Sequence, residues 1–117
     1  MKSLMKSLIV IAIIVSTSVC YGQILWEYLK KAERLQESGE LEQALMIMEE
    51  AIKKYPDSAI AHAYLGQYAG MRGMQVGREG KISEAKRLFE SSFEMLDKAI
   101  SLDPQNLIAR FNRGLME

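Results

Sequence analysis

From Ile24 onward the apolar residues recur at steps of three and four. Leu25, Tyr28, Leu29, Ala32 and Leu35 make one stripe, the spacing that lines up one buried face of a helix. Glu37-Ser38-Gly39-Glu40 interrupts it, and Gly39 suits the left-handed residue that ends a helix. A second stripe follows at Leu41, Ala44, Leu45, Met48, Ala51, Ile52 and Tyr55. Pro56 stops it, because proline disfavours helix in the residue before it and has no amide to donate. Two antiparallel helices joined by a short turn form a helical hairpin.

The pattern changes at residues 66–80, GQYAGMRGMQVGREG, where glycine stands at 66, 70, 73, 77 and 80. Each glycine weakens a helix by about 1 kcal/mol relative to alanine. At about 100° per residue, however, these positions fall within an arc of roughly 80° on one helix face. The stretch therefore reads as a contact seam where a partner backbone comes close, with a flexible segment as the competing reading. A ligand loop fits poorly. No Gly-x-Gly occurs, and Gln75 stands where a phosphate loop ending in Gly80-Lys81 needs glycine. Gly-x-x-x-Gly does occur at 66/70 and 73/77, but Gln67, Arg72, Gln75 and Arg78 exclude a membrane helix.

Composition agrees with helices throughout. The chain has 117 residues, room for one small domain, and 49% of them are hydrophobic. Only Pro56 and Pro104 are prolines, and Ala, Leu, Met, Glu, Lys and Gln are abundant. Formal net charge is zero with no clustered basic face, which argues against nucleic acid as a partner.

Residues 1–22 are a separate object. Lys2 and Lys6 precede the apolar run Leu8 to Val15, and small and polar residues follow. This is the order of a secretory signal peptide, and the run is shorter than the roughly 20 residues that span a bilayer. Cleavage after Gly22 would set Cys20 and Gly22 at the positions wanting small side chains; cleavage after Ser18 or Cys20 is an alternative. A lipoprotein acylated on Cys20 is a second reading, weakened by Val19, and an uncleaved anchor is a third. The expectation is export to the periplasm or beyond, with membrane contact only through residues 1–22 if they stay uncleaved or acylated. Cleavage at Gly22 leaves 13 Lys and Arg against 15 Asp and Glu, net −2, and no cysteine for disulfides.

A repeat runs through the rest. AIKKYPDSAIAHAYLG (51–66) and AISLDPQNLIARFNRG (99–114) align without gaps. Here the chain resembles the tetratricopeptide repeat (TPR) family, whose unit is about 34 residues. That unit has small residues at its eighth, twentieth and twenty-seventh positions and proline at its thirty-second. Placing Pro56 there puts Ala32, Ala44 and Ala51 on the small positions, Tyr28 on the large aromatic one and Gly39 at the turn. The second unit departs from the pattern: Pro56 to Pro104 is 48 residues. GKISEA (80–85) reads as its turn, seven residues late, with Gly66 and Gly73 before it and Ala85, Ser92 and Ala99 after. Each helix has thus gained one heptad, about two turns.

The resemblance implies an all-α fold of antiparallel TPR-like hairpins stacked as a short right-handed solenoid. Its parts are residues 1–22, a first hairpin at 23–58, an elongated one at 59–106, and the first helix of a partial third at 107–117. With one helix in place of two, 107–117 reads as part of a longer protein in preference to a terminal cap. In the family such stacks bind a peptide or partner helix in a concave face. The positions that usually look into it are here Trp26, Leu29, Glu33 and Gln36, then Ile60, Ala63, Gln67 and Gly70, then Ile108 and Phe111. Leu29 and Glu33 stand where chaperone-tail-binding members carry Lys and Asn, so a carboxylate clamp is not expected. Self-stacking through the ends at Trp26 and Phe111, and a membrane-tethered regulatory role, are alternative readings.

Catalytic chemistry has no foothold in the sequence. His62 is the single histidine and is expected to pack in the core; alone it cannot build a zinc site. Glu49-Glu50 followed by Lys53-Lys54 reads as a solvated face with i,i+4 ion pairs. No acidic residue falls on an apolar stripe, where general acid–base work would want a shifted carboxylate. No enzyme, cofactor or metal is expected. Trp26 is read as a cap on the first hairpin in preference to a contact, and Met46, off the stripe, as a partner contact.

Overall fold

A computed structural model describes residues 24–116. The expected leader at 1–22, with Cys20, lies outside the described residues. Within them every regular element is a helix: α1 over 24–37, α2 Leu41–Lys54, α3 Ala59–Arg78, α4 Ile82–Leu102 and α5 Leu107–Met116. None of these is long and apolar enough to cross a membrane.

Two kinds of turn alternate, and short-range chemistry explains both. After α1 and α3 the chain turns on a glycine with positive φ, Gly39 at 83° and Gly80 at 85°. Glu40 N–H donates to the Leu35 carbonyl and Gly39 N–H to that of Gln36; Lys81 and Gly80 repeat this on Val76 and Gly77. These paired bonds close the last helical turn, and only glycine enters that backbone region at no steric cost. After α2 and α4 the turn holds proline, and a side chain starts the next helix. Ser58 Oγ accepts from Ala61 N–H at 3.2 Å, and Asn106 Oδ1 from Ala109 N–H at 2.9 Å. The aligned stretches 51–66 and 99–114 therefore build the same local structure.

Packing centres on α3. Leu29 and Ala32 of α1, Ala44, Met48 and Ala51 of α2, and Ala61, Leu65 and Tyr68 of α3 form one buried cluster. Ala63 of α3 joins Leu96 and Ala99 of α4 and Ala109 of α5 in a second. With neighbours on opposite sides, α3 buries every residue from Ala61 to Gly70 except Tyr64 and Gln67, which are half-buried. Small residues at Ala61, Ala63, Gly66, Ala69 and Gly70, all buried, let those neighbours approach.

The glycine stretch is helical and packs antiparallel on α4. A Cβ built on Gly77 would lie 3.6 Å from Ala85 Cβ, and one on Gly73 would lie 3.2 Å from the Phe89 ring. One on Gly66 would sit 2.8 Å from Leu96. Steps of four and seven back along α3 thus match steps of four and seven forward along α4. Matching the small residues in antiparallel order from the turn would set Gly66 against Ala99, and the structure corrects that pairing, which lies three residues out of this register. Ala99 instead shares its cluster with Ala63, three residues before Gly66. Ala85, Ser92 and Ala99 are all buried, as a close-packed seam requires.

Candidate functional site

Between α1, α3 and α5 lies a cleft of about 310 Å³. Glu33 and Gln36 enter it from α1, and Tyr64, Gln67 and Tyr68 from α3. Its third wall is Ile108, Phe111 and Asn112 on α5. Tyr64 and Tyr68 are one helical turn apart, with ring centroids 5.9 Å apart and planes at 57°. Tyr68 is only 2% exposed. Burial, followed by Tyr64 and the Glu33 and Glu37 carboxylates, pushes its phenol up to about 12, since each disfavours the phenolate. Asn112 Nδ2 donates to the Ile108 carbonyl at 2.7 Å, which holds the amide at the cleft wall.

A second cavity, about 300 Å³, adjoins the first. Gly66, Gly70, Met71 and Met74 of α3 line it, with Phe89 of α4 and Leu115 of α5 opposite. Gln67 and Asn112 line both spaces, so the cleft and the cavity meet at these two amides. Met71, Met74 and Phe89 of this wall all lie in the stretch between Gly66 and Ser92.

Of the residues expected in the groove, Glu33, Gln36, Gln67, Ile108 and Phe111 come together in the cleft, and Gly70 lines the adjoining cavity. Leu29 and Ala63 do not serve as expected. Both are buried, Leu29 against α2 and α3 and Ala63 against α4 and α5, because those neighbours cover that side of each helix. Trp26 and Ile60 are exposed and line neither space. The expected hairpin cap at Trp26 is likewise corrected: the residue is 57% exposed, with Lys30 Nζ 5.4 Å from the ring centroid. Tyr64, Tyr68 and Asn112 were missed. The signal for the tyrosines was their placement on either side of Gln67.

Other positions are quickly placed. His62 is buried with Nδ1 2.8 Å from the Ser58 carbonyl oxygen, so it supports the start of α3. Met46 is exposed and flanks a crevice where Arg72 reaches Glu42 at 4.0 Å and donates to Gln75 at 2.8 Å. Among the described residues no group of His, Cys, Asp or Glu is arranged to hold a metal ion. α5 is fastened to α4 by Arg113, whose Nε donates to Asp97 at 2.9 Å and whose guanidinium lies 4.3 Å from the Phe93 ring centroid. Comparison with protein-family models, with curated proteins and with solved structures finds no match to this chain.

Proposed function

We propose that the chain is a non-enzymatic interaction scaffold built from TPR-like hairpins, which holds a peptide or helix of a partner protein in the cleft between α1, α3 and α5. One observation carries this reading: α1, α3 and α5 line that cleft and neither α2 nor α4 does, which is the lining expected of the opening helices of stacked hairpins. Its chemistry suits a polypeptide, with amides at Gln36, Gln67 and Asn112 for backbone groups and aromatic surface at Tyr64 and Phe111 for side chains. A photo-crosslinker at Gln67 should trap a partner in the cells that make the protein, and one at Lys86, exposed on α4, should not. Equal yields at both positions would remove the cleft from consideration.

Export is part of the proposal, resting on the basic, apolar, small-residue order of residues 1–22. Mass spectrometry of the chain recovered outside the cytoplasm should find Gln23 or a near neighbour first. A diacylated Cys20 would replace the soluble form by a lipid-anchored one, and Met1 in a membrane fraction would favour the tether.

Self-stacking is the second reading, favoured by one feature of α5. Leu107, Phe111 and Leu115 are 79%, 67% and 70% exposed on a single helix face. Sedimentation separates the two, since stacking requires oligomers that grow with concentration.

A further inference from the structure

We infer that the partner segment carries a lysine or arginine and, further along, an unbranched aliphatic, thioether or aromatic side chain, the first held at the α1 side of the cleft and the second in the methionine-lined cavity. The inference rests on the scaffold reading above and adds to it the chemistry of the ligand.

Charge decides the first half. Among the described residues that line the cleft and the cavity, Glu33 is the one with a formal charge near neutrality, and none is lysine, arginine or histidine. Glu37, one helical turn further along α1, adds to the negative field felt by Tyr68. An acidic segment would meet no cation there, whereas a basic side chain finds a carboxylate beside partly desolvated tyrosine rings, whose faces also attract cations.

Shape and softness decide the second half. The cavity is at the small end of ligand pockets, which run from about 300 Å³ upward, so it accepts a side chain or two and not a large cofactor. Met71, Met74, Phe89 and Leu115 line it together with Gly66 and Gly70 of α3. Thioether walls adapt to apolar groups of differing shape. Gln67 and Asn112, at the junction, are placed to take the backbone that connects the two side chains.

The test is a selection of random dodecapeptides by mRNA display on the full chain, followed by anisotropy titrations of the enriched peptides labelled with fluorescein. Enriched peptides should share a basic and an apolar position. Met74→Glu, at a site 49% exposed and therefore tolerant of charge, should weaken them tenfold or more without lowering the melting temperature. Glu33→Lys should turn the selected basic position acidic. If peptides bind and Gln67→Arg abolishes binding, but Met74→Glu and Glu33→Lys leave it unchanged, the inference falls and the scaffold reading stands. If no peptide is enriched, both fall.

Discussion

Ser92 Oγ donates a hydrogen bond of 2.6 Å to the carbonyl oxygen of Gly66, joining α4 to α3 inside the longest helix pair among the described residues. Ser92 is fully buried, and a Cβ at Gly66 would lie 3.2 Å from the Ser92 carbonyl oxygen. The missing side chain on one helix and the short hydroxyl on the other are therefore two halves of one arrangement. Backbone meets backbone there, and a polar bond crosses the contact.

Removing that hydroxyl leaves the shape nearly intact, so Ser92→Ala should cost about 0.5–1.5 kcal/mol, the net value of one hydrogen bond. Ser92→Leu must push the helices apart and should cost about 1–3 kcal/mol or more. Urea denaturation of the two variants checks the order. A Leu variant as stable as the Ala variant would contradict a close-packed seam.

The seam also predicts a gradient of glycine-to-alanine effects along α3. Gly77→Ala meets only an ordinary contact, 3.6 Å from Ala85 Cβ, and should gain up to about 1 kcal/mol of helix propensity. At Gly73 the half-buried Phe89 ring, 3.2 Å away, must yield slightly, and the melting temperature should stay near that of the parent. Gly66→Ala runs into Leu96 at 2.8 Å and into backbone, so it should lose about 1–3 kcal/mol. Gly73→Leu should lose a similar amount. Thermal melts that rank the three alanine variants in any other order would refute the register.

At the turns the sign reverses for a different reason. Gly39 and Gly80 have open space around a would-be Cβ, yet their φ values of 83° and 85° are strained for any L side chain. Alanine at either should cost roughly 1–2 kcal/mol, and asparagine, which tolerates that region, less. Ser58→Ala and Asn106→Ala should each cost about 1 kcal/mol by uncapping α3 and α5. Equal melting of the Ala and Asn variants at Gly39 would argue against the left-handed turn.

Tyr68 gives the molecule an alkaline limit. Its phenol is raised from an ordinary value of about 10 to about 12 in the fold. The folded state thus holds this proton more tightly than the unfolded chain. That contribution is fully present below about pH 10 and is lost as pH rises toward 12. Tyr68→Phe should remove it, so the difference in stability between parent and variant should be flat up to about pH 10 and then change in favour of the variant. A pH-independent difference across that window would show that the phenol is not held neutral by the fold.

Some of this molecule can be read from short-range order alone. The helices, both glycine turns, both proline turns and the helical character of residues 66–78 follow from spacing and from backbone preferences that act within a few residues. The stripe Ala85, Ser92 and Ala99 was legible for the same reason, since side chains seven apart share a helix face. Five members of the cleft, Glu33, Gln36, Gln67, Ile108 and Phe111, were among the groove positions implied by the resemblance to the tetratricopeptide repeat family. Tertiary packing decided the rest. Periodicity says which residues share a face but not how far one helix slides along another, so only the structure puts Gly66 on Leu96 and Ala63 with Ala99. It likewise turns Leu29 and Ala63 inward, leaves Trp26 in solvent, and brings Tyr64, Tyr68 and Asn112 to one cleft. The methionine-lined cavity exists because α3, α4 and α5 converge on it, and no local stretch of the chain contains that convergence.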